Sequence, residues 1–138
     1  MYDVQLIARY IIHRHALPIS NLKLQKILYF VQAEFLVAMN KACFPDDIEA
    51  WTHGPVVPAV YFNYMIFGST NIPDQGNDGF ELITKQDKDH LDAIIDDTAK
   101  YSASWFEKIT CRQHPWKNAC KRNNKVIKQE EIKEYFSS

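Results

Sequence analysis

Glycine is scarce in this sequence, at four residues in 138. The chain therefore has little of the tight, backbone-lined turn that cradles phosphate, and no dinucleotide or P-loop fingerprint is present. Neither a G-x-S-x-G nucleophile elbow nor an H-E-x-x-H helix occurs. Cysteine is limited to Cys43, Cys111 and Cys120, an odd and scattered set that excludes a disulfide framework and reads as reduced thiols. Apolar runs are short: Ile27-Leu28-Tyr29-Phe30-Val31 falls far below the ~18 residues that a membrane span needs. The start, Met1-Tyr2-Asp3-Val4, has no basic leader segment, so a cytoplasmic location is expected. Net charge is −1, which gives no global basicity to draw nucleic acid or membrane. Internal repeats and low-complexity stretches are absent as well.

What the sequence does have is the balance of one globular domain spanning 1–138, with 46% hydrophobic and 24% charged residues. Val4, Ile7, Ala8 and Ile11 form a helical stripe between Asp3 and His15. Ser20 is suited to cap a longer helix reaching Asn40. Leu24, Ile27, Leu28, Val31 and Phe35 form its stripe, and Phe30, Leu36 and Val37 widen it, which predicts a central helix covered on several sides. Asp46–Trp51 reads as a short extended segment and Thr52–Pro58 as a turn. Pro58 opens a helix predicted over 59–67, with Gly68 as its stop. Phe80–Ile83 alternates weakly and is expected to pair with the Ile48 segment. Thr84 with Asp87 resembles a capping box for a helix to Tyr101. Ser102 or Ser104 caps a fifth helix, Pro115-Trp116 opens a sixth, and Ile132, Tyr135 and Phe136 mark a last one after an extended Lys125–Ile127. The expected fold is α+β and predominantly helical: about six helices with two or three short strands.

Charge is divided along the chain. Asp74–Asp97 carries eight acids against two lysines, whereas Lys108–Lys128 carries seven Lys/Arg and no acid. Either these are two solvated faces that answer each other, or one of them meets a charged partner. His114 and Trp116 in the basic run could stack on bases, yet no zinc finger or aromatic sheet motif accompanies them. Cys111, His114 and Cys120 supply three soft ligands where a structural zinc wants four, so neither metal nor cofactor is expected. Cys111 and His114 could also face each other as a nucleophile pair, but nothing else of such a site is visible. The segment Trp51–Tyr61 stands out. Gly54, Pro55 and Pro58 stiffen a turn beside aromatics, and a stiff turn loses little entropy on binding.

Three stretches together resemble a known family. They are Leu24-Gln25-Lys26-Ile27-Leu28-Tyr29-Phe30; Ile48-Glu49-Ala50-Trp51-Thr52-His53-Gly54-Pro55-Val56-Val57-Pro58 with Tyr61; and Pro115-Trp116-Lys117-Asn118-Ala119 followed by Ile127, Ile132 and Tyr135-Phe136. The chain is similar to the Panacea domain, also described as SocA-like or GepA-like and phage-associated. The resemblance implies an α-rich, non-enzymatic domain of mobile elements and prophages that acts as the antitoxin of a toxin–antitoxin pair. In one branch it implies an adaptor that delivers a toxin to a cytosolic protease. The family usually carries a Thr/Ser-His pair where this chain has Thr110-Cys111.

The expected activity is therefore neutralisation of a cognate toxin by direct protein–protein binding. The alternatives are an adaptor bridging a client to a cytosolic machine, and a nucleic-acid binder using residues 108–128. The expected partner-binding residues are Lys26, Tyr29, Trp51, His53, Tyr61, Trp116 and Lys117. The Ile132–Phe136 stripe predicts a packed helix rather than a disordered tail, so binding is expected from the folded surface.

Overall fold

Helix α2 (Asn21–Met39) organises the molecule, which is seen here in a computed structural model describing residues 1–137. Its apolar residues run almost all the way round. Leu24, Ile27, Leu28, Val31 and Phe35 are buried, and the helix packs against α1 (Val4–Arg14), α3 (Pro58–Tyr64), α4 (Lys85–Ala99), α5 (Ala103–Thr110) and α7 (Gln129–Ser137). The remaining helix, α6 (His114–Cys120), lies against α7 and the short strand β1 (Glu49–Trp51). Each fully buried Leu or Ile contributes roughly 1.5–3 kcal/mol, so this single helix carries much of the stability. The molecule is α+β and predominantly helical.

The helix ends follow the sequence. Ser20 Oγ accepts the Lys23 amide, Ser102 Oγ (not Ser104) accepts that of Trp105, and Thr84 Oγ1 accepts that of Asp87. Thr84 does not share a reciprocal box, because the Asp87 carboxylate is taken by the Tyr2 hydroxyl. Asn40 closes α2 in the left-handed region at φ 53°. After α3 the chain makes a short 3₁₀ turn, Met65–Phe67, and stops at Gly68.

Strands β1 (Glu49–Trp51) and β2 (Gly54–Val56) form an antiparallel hairpin with Glu49 opposite Val56, Ala50 opposite Pro55 and Trp51 opposite Gly54. The stretch Thr52–Pro58, read from sequence as a turn, thus contains a strand. Pro55 is tolerated because β2 is an edge strand that needs no amide there. Phe80–Leu82 is a 3₁₀ turn and does not pair with the Ile48 segment. The outer edge of β1 is taken by the C-terminal part of the chain: the Ile127 amide bonds to the Ile48 carbonyl at 2.8 Å and the Ala50 amide to the Lys125 carbonyl at 2.8 Å.

The acidic run lies largely against α1. Arg14 meets Asp92 at 3.3 Å and Asp96 at 3.0 Å, the Tyr10 hydroxyl donates to Asp92 at 2.6 Å, and His13 meets Asp74 at 3.0 Å. Lys85 pairs with Asp89 within α4. The basic run is different. Arg122 pairs with Glu131, but Lys108, Arg112, Lys117, Lys121 and Lys128 are exposed and make no ion pair among the described residues. The two charged stretches therefore do not answer each other.

Candidate functional site

Three polar residues of α2 hold the backbone that follows the hairpin turn. Asn21 Nδ2 donates to the Tyr61 carbonyl at 3.1 Å, Gln25 Oε1 accepts the Val57 amide at 2.9 Å, and Lys26 Nζ donates to the Pro55 carbonyl at 3.1 Å. Asn21 also accepts from Gln25 Nε2 at 2.9 Å, so the first two act as one unit. All three side chains are buried, where an unpaired amide or carbonyl would cost about 1–3 kcal/mol. They fix the β2–α3 segment in place. Lys26 covers a carbonyl on the free side of β2, and burial pushes its ammonium down to about 8, against the opposing fields of Cys111 and Glu107.

Gly54 completes this arrangement. Its φ of +111° is one that L side chains rarely adopt, and a Cβ there would stand 3.0 Å from both Lys26 Cε and Thr110 Oγ1. The turn is thus clamped between α2 and α5. From α5, Glu107 Oε1 meets His53 Nδ1 at 2.9 Å and ties down the tip. From α6, the Trp116 indole N–H donates to the Trp51 carbonyl at 3.1 Å.

Above the turn is an open cavity of about 530 Å³. Leu22, Ala50, Trp51, His53, Val56 and Tyr61 line it. The Trp51 ring meets Tyr61 edge-on at 5.0 Å and Phe62 at 6.0 Å, while its Nε1 donates to Glu49 at 3.0 Å. An aromatic cluster whose Trp51 indole N–H is already satisfied offers apolar area at little ordering cost.

Four of the seven residues expected from sequence, Trp51, His53, Tyr61 and Trp116, gather here. Trp51, Tyr61 and Trp116 are half-buried around the turn, His53 is 64% exposed in its side chain, and Lys117 is exposed beside Trp116. Lys26 and Tyr29 are placed elsewhere, as fully buried core residues. The Tyr29 hydroxyl donates to Gln113 Oε1 at 2.7 Å, and burial pushes it up well above its ordinary value. Neither is a surface group; Lys26 acts from beneath by holding the turn. Sequence reasoning missed Asn21 and Gln25, whose signal was polar residues on a helix otherwise apolar all round. It also missed Phe62, which lies off the Val60/Tyr64 face and is 57% exposed.

Cys111 lies beside Lys26, and burial pushes its thiol up, holding it in the neutral form rather than as an activated nucleophile. Among the described residues, no three His, Cys, Asp or Glu side chains come together as a metal-holding group. No helix among them is long and apolar enough to cross a membrane.

This geometry coincides with a recognised sequence family. Residues 24–117 match the model of the family described as antitoxin SocA-like, Panacea domain. One relative is Antitoxin SocA of Caulobacter vibrioides (strain NA1000 / CB15N), 42% identical over 62 residues, which are 43% of this chain and 33% of that protein. The aligned part thus spans about a third of that relative's length. No solved structure matches the chain. With more than half of its length matched, and the turn, Trp116 and every cavity-lining residue but Leu22 inside the matched segment, the chain belongs to the SocA-like antitoxin family and carries a Panacea domain.

Proposed function

We propose that this protein is a non-enzymatic antitoxin of a mobile element or prophage, acting in the cytoplasm by binding and blocking a cognate toxin protein. The observation that carries the reading is family membership across residues 24–117, the segment that supplies the Thr52-His53 turn and most of the cavity above it. Stoichiometric neutralisation needs a firm surface rather than reacting groups. The turn provides one, because its backbone is held by Asn21, Gln25 and Lys26 and its tip by Glu107. The contact residues in this reading are Trp51, His53, Tyr61, Trp116 and Lys117, with Phe62 added. Lys26 contributes by fixing the turn.

An adaptor that bridges a client to a protease would use two separable surfaces. The acidic run is a weak second surface, since Asp74, Asp87, Asp89, Asp92 and Asp96 are engaged within the fold. Binding of nucleic acid through residues 108–128 would be sensitive to salt and indifferent to the aromatic cluster, which sets it apart from the toxin reading. The antitoxin reading is tested by co-expression with the neighbouring reading frame. Growth arrest by the neighbour alone, relief by this chain and co-purification of the two are expected. A neighbour that is harmless, or that neither copurifies nor is relieved, overturns it.

A further inference from the structure

The cavity above the turn has rims of different character. On one side, α5 packs on β2 and α6 on β1, and the exposed cations Lys108, Arg112 and Lys117 are carried on those two helices and the short link between them. Lys108 follows Glu107, which is bonded to His53, and Lys117 follows Trp116, which is bonded to Trp51. None of the three makes an ion pair among the described residues, whereas Asp74, Asp87, Asp89, Asp92 and Asp96 are answered inside the fold. On the other side, Phe62 is followed within one turn by Met65 and Ile66, which are 54% and 86% exposed. Between the rims is an apolar floor with room for a large side chain.

We infer that this groove receives an acidic amphipathic segment of the partner protein, its apolar side on Trp51, Tyr61 and Phe62 and its carboxylates toward Lys108, Arg112 and Lys117. Under the antitoxin reading, on which only the partner's identity rests, that segment belongs to the toxin. The charge argument is specific to sign: the free cations have no internal acid to satisfy them, so a partner with acids on one flank gains attraction without breaking an existing pair. The exposed apolar residues favour protein over nucleic acid. A phosphate backbone answers the cations but leaves Phe62, Met65 and Ile66 against water, while an amphipathic segment covers both.

The test is to pan a displayed library of random helical peptides against the full chain and sequence the binders. Enrichment of peptides with apolar residues at helical spacing and an excess of Asp/Glu on one flank is expected. Phe62→Glu and the double variant Lys108→Glu/Lys117→Glu should each weaken the selected peptides by about tenfold or more. Leu82→Glu, at an exposed apolar residue outside the groove, should leave them unchanged, and circular dichroism should find all variants folded. Binders without acidic excess, binders indifferent to both groove variants, or no enrichment over the Phe62→Glu protein would each overturn the inference. So would a short DNA duplex bound at low salt through the lysines and indifferent to Phe62→Glu. The two readings fail separately. A co-expressed toxin relieved equally by wild type and both groove variants removes the groove and keeps the antitoxin, while binders of the expected kind without any toxic neighbour do the reverse.

Discussion

A single buried ammonium sets much of the chemistry of the turn. Lys26 has an ordinary value of 10.5 in an unfolded chain and about 8 in the fold, with burial as the leading cause. A base whose folded value is depressed destabilises the fold while both states are protonated, that is, below pH 8. The penalty is relieved as pH rises from 8 to 10.5, where the unfolded chain still holds the proton and the folded one has released it. The full span amounts to about 3 kcal/mol. Urea unfolding across this range should therefore show wild type gaining on Lys26→Met by about 2–3 kcal/mol between about pH 7 and pH 10, with the other titrating groups dropping out of the difference. At this scale the sequence is ambiguous for a physical reason. A lysine and a tyrosine in a helix serve equally as surface anchors or as core groups with a long apolar body, and only the position of Pro55 and Gln113 decides. The glycine at 54 was legible as a place of sharp backbone, since its φ of +111° is one that few other residues adopt, but it opens strand β2 rather than sitting within the turn.

Among elements, α1 and α4 show how a charged stretch can be spent inside a fold. Arg14 reaches both Asp92 and Asp96, and Tyr10 also meets Asp92. Both acids and the arginine remain partly in water, so the clamp is weak. Arg14→Gln should cost no more than about 1 kcal/mol at low salt, and the loss should fade when thermal unfolding is repeated in high salt. The helices were readable because their period and caps lie in the local sequence: Ser20, Thr84 and Ser102 each cap where their residue type suggests. The strands were less readable. Three residues are too few to show alternation, and Pro55 disguises β2 as part of the turn. Phe80–Leu82 alternates like a strand yet winds into a 3₁₀ turn after Gly79, which takes φ 86°. Its neighbours are settled by distant chain that no local pattern reports.

At the scale of the whole molecule, the candidate surface is assembled from α2, the hairpin, α3, α5 and α6, which explains why only its central turn stood out in the sequence. Family membership supplied the rest of the direction, and the structure then separated the contact residues from those beneath them. The hairpin is also braced from a distance. Lys125 and Ile127 close the far edge of β1, Ile132 is fully enclosed, and the Phe136 ring meets Tyr29 at 5.8 Å. All of these lie beyond residue 117, where the family match ends. A truncated protein that stopped there would retain Trp51, His53 and Trp116 but leave the Ile48 carbonyl and Ala50 amide open along a bare strand flank, with oily α2 side chains uncovered. Such a fragment should self-associate, and light scattering should find aggregates where the 138-residue chain gives a discrete species: the extended stretch 125–127, pinned by the helix after it, is the guard that keeps a sticky ribbon from zipping onto its copies.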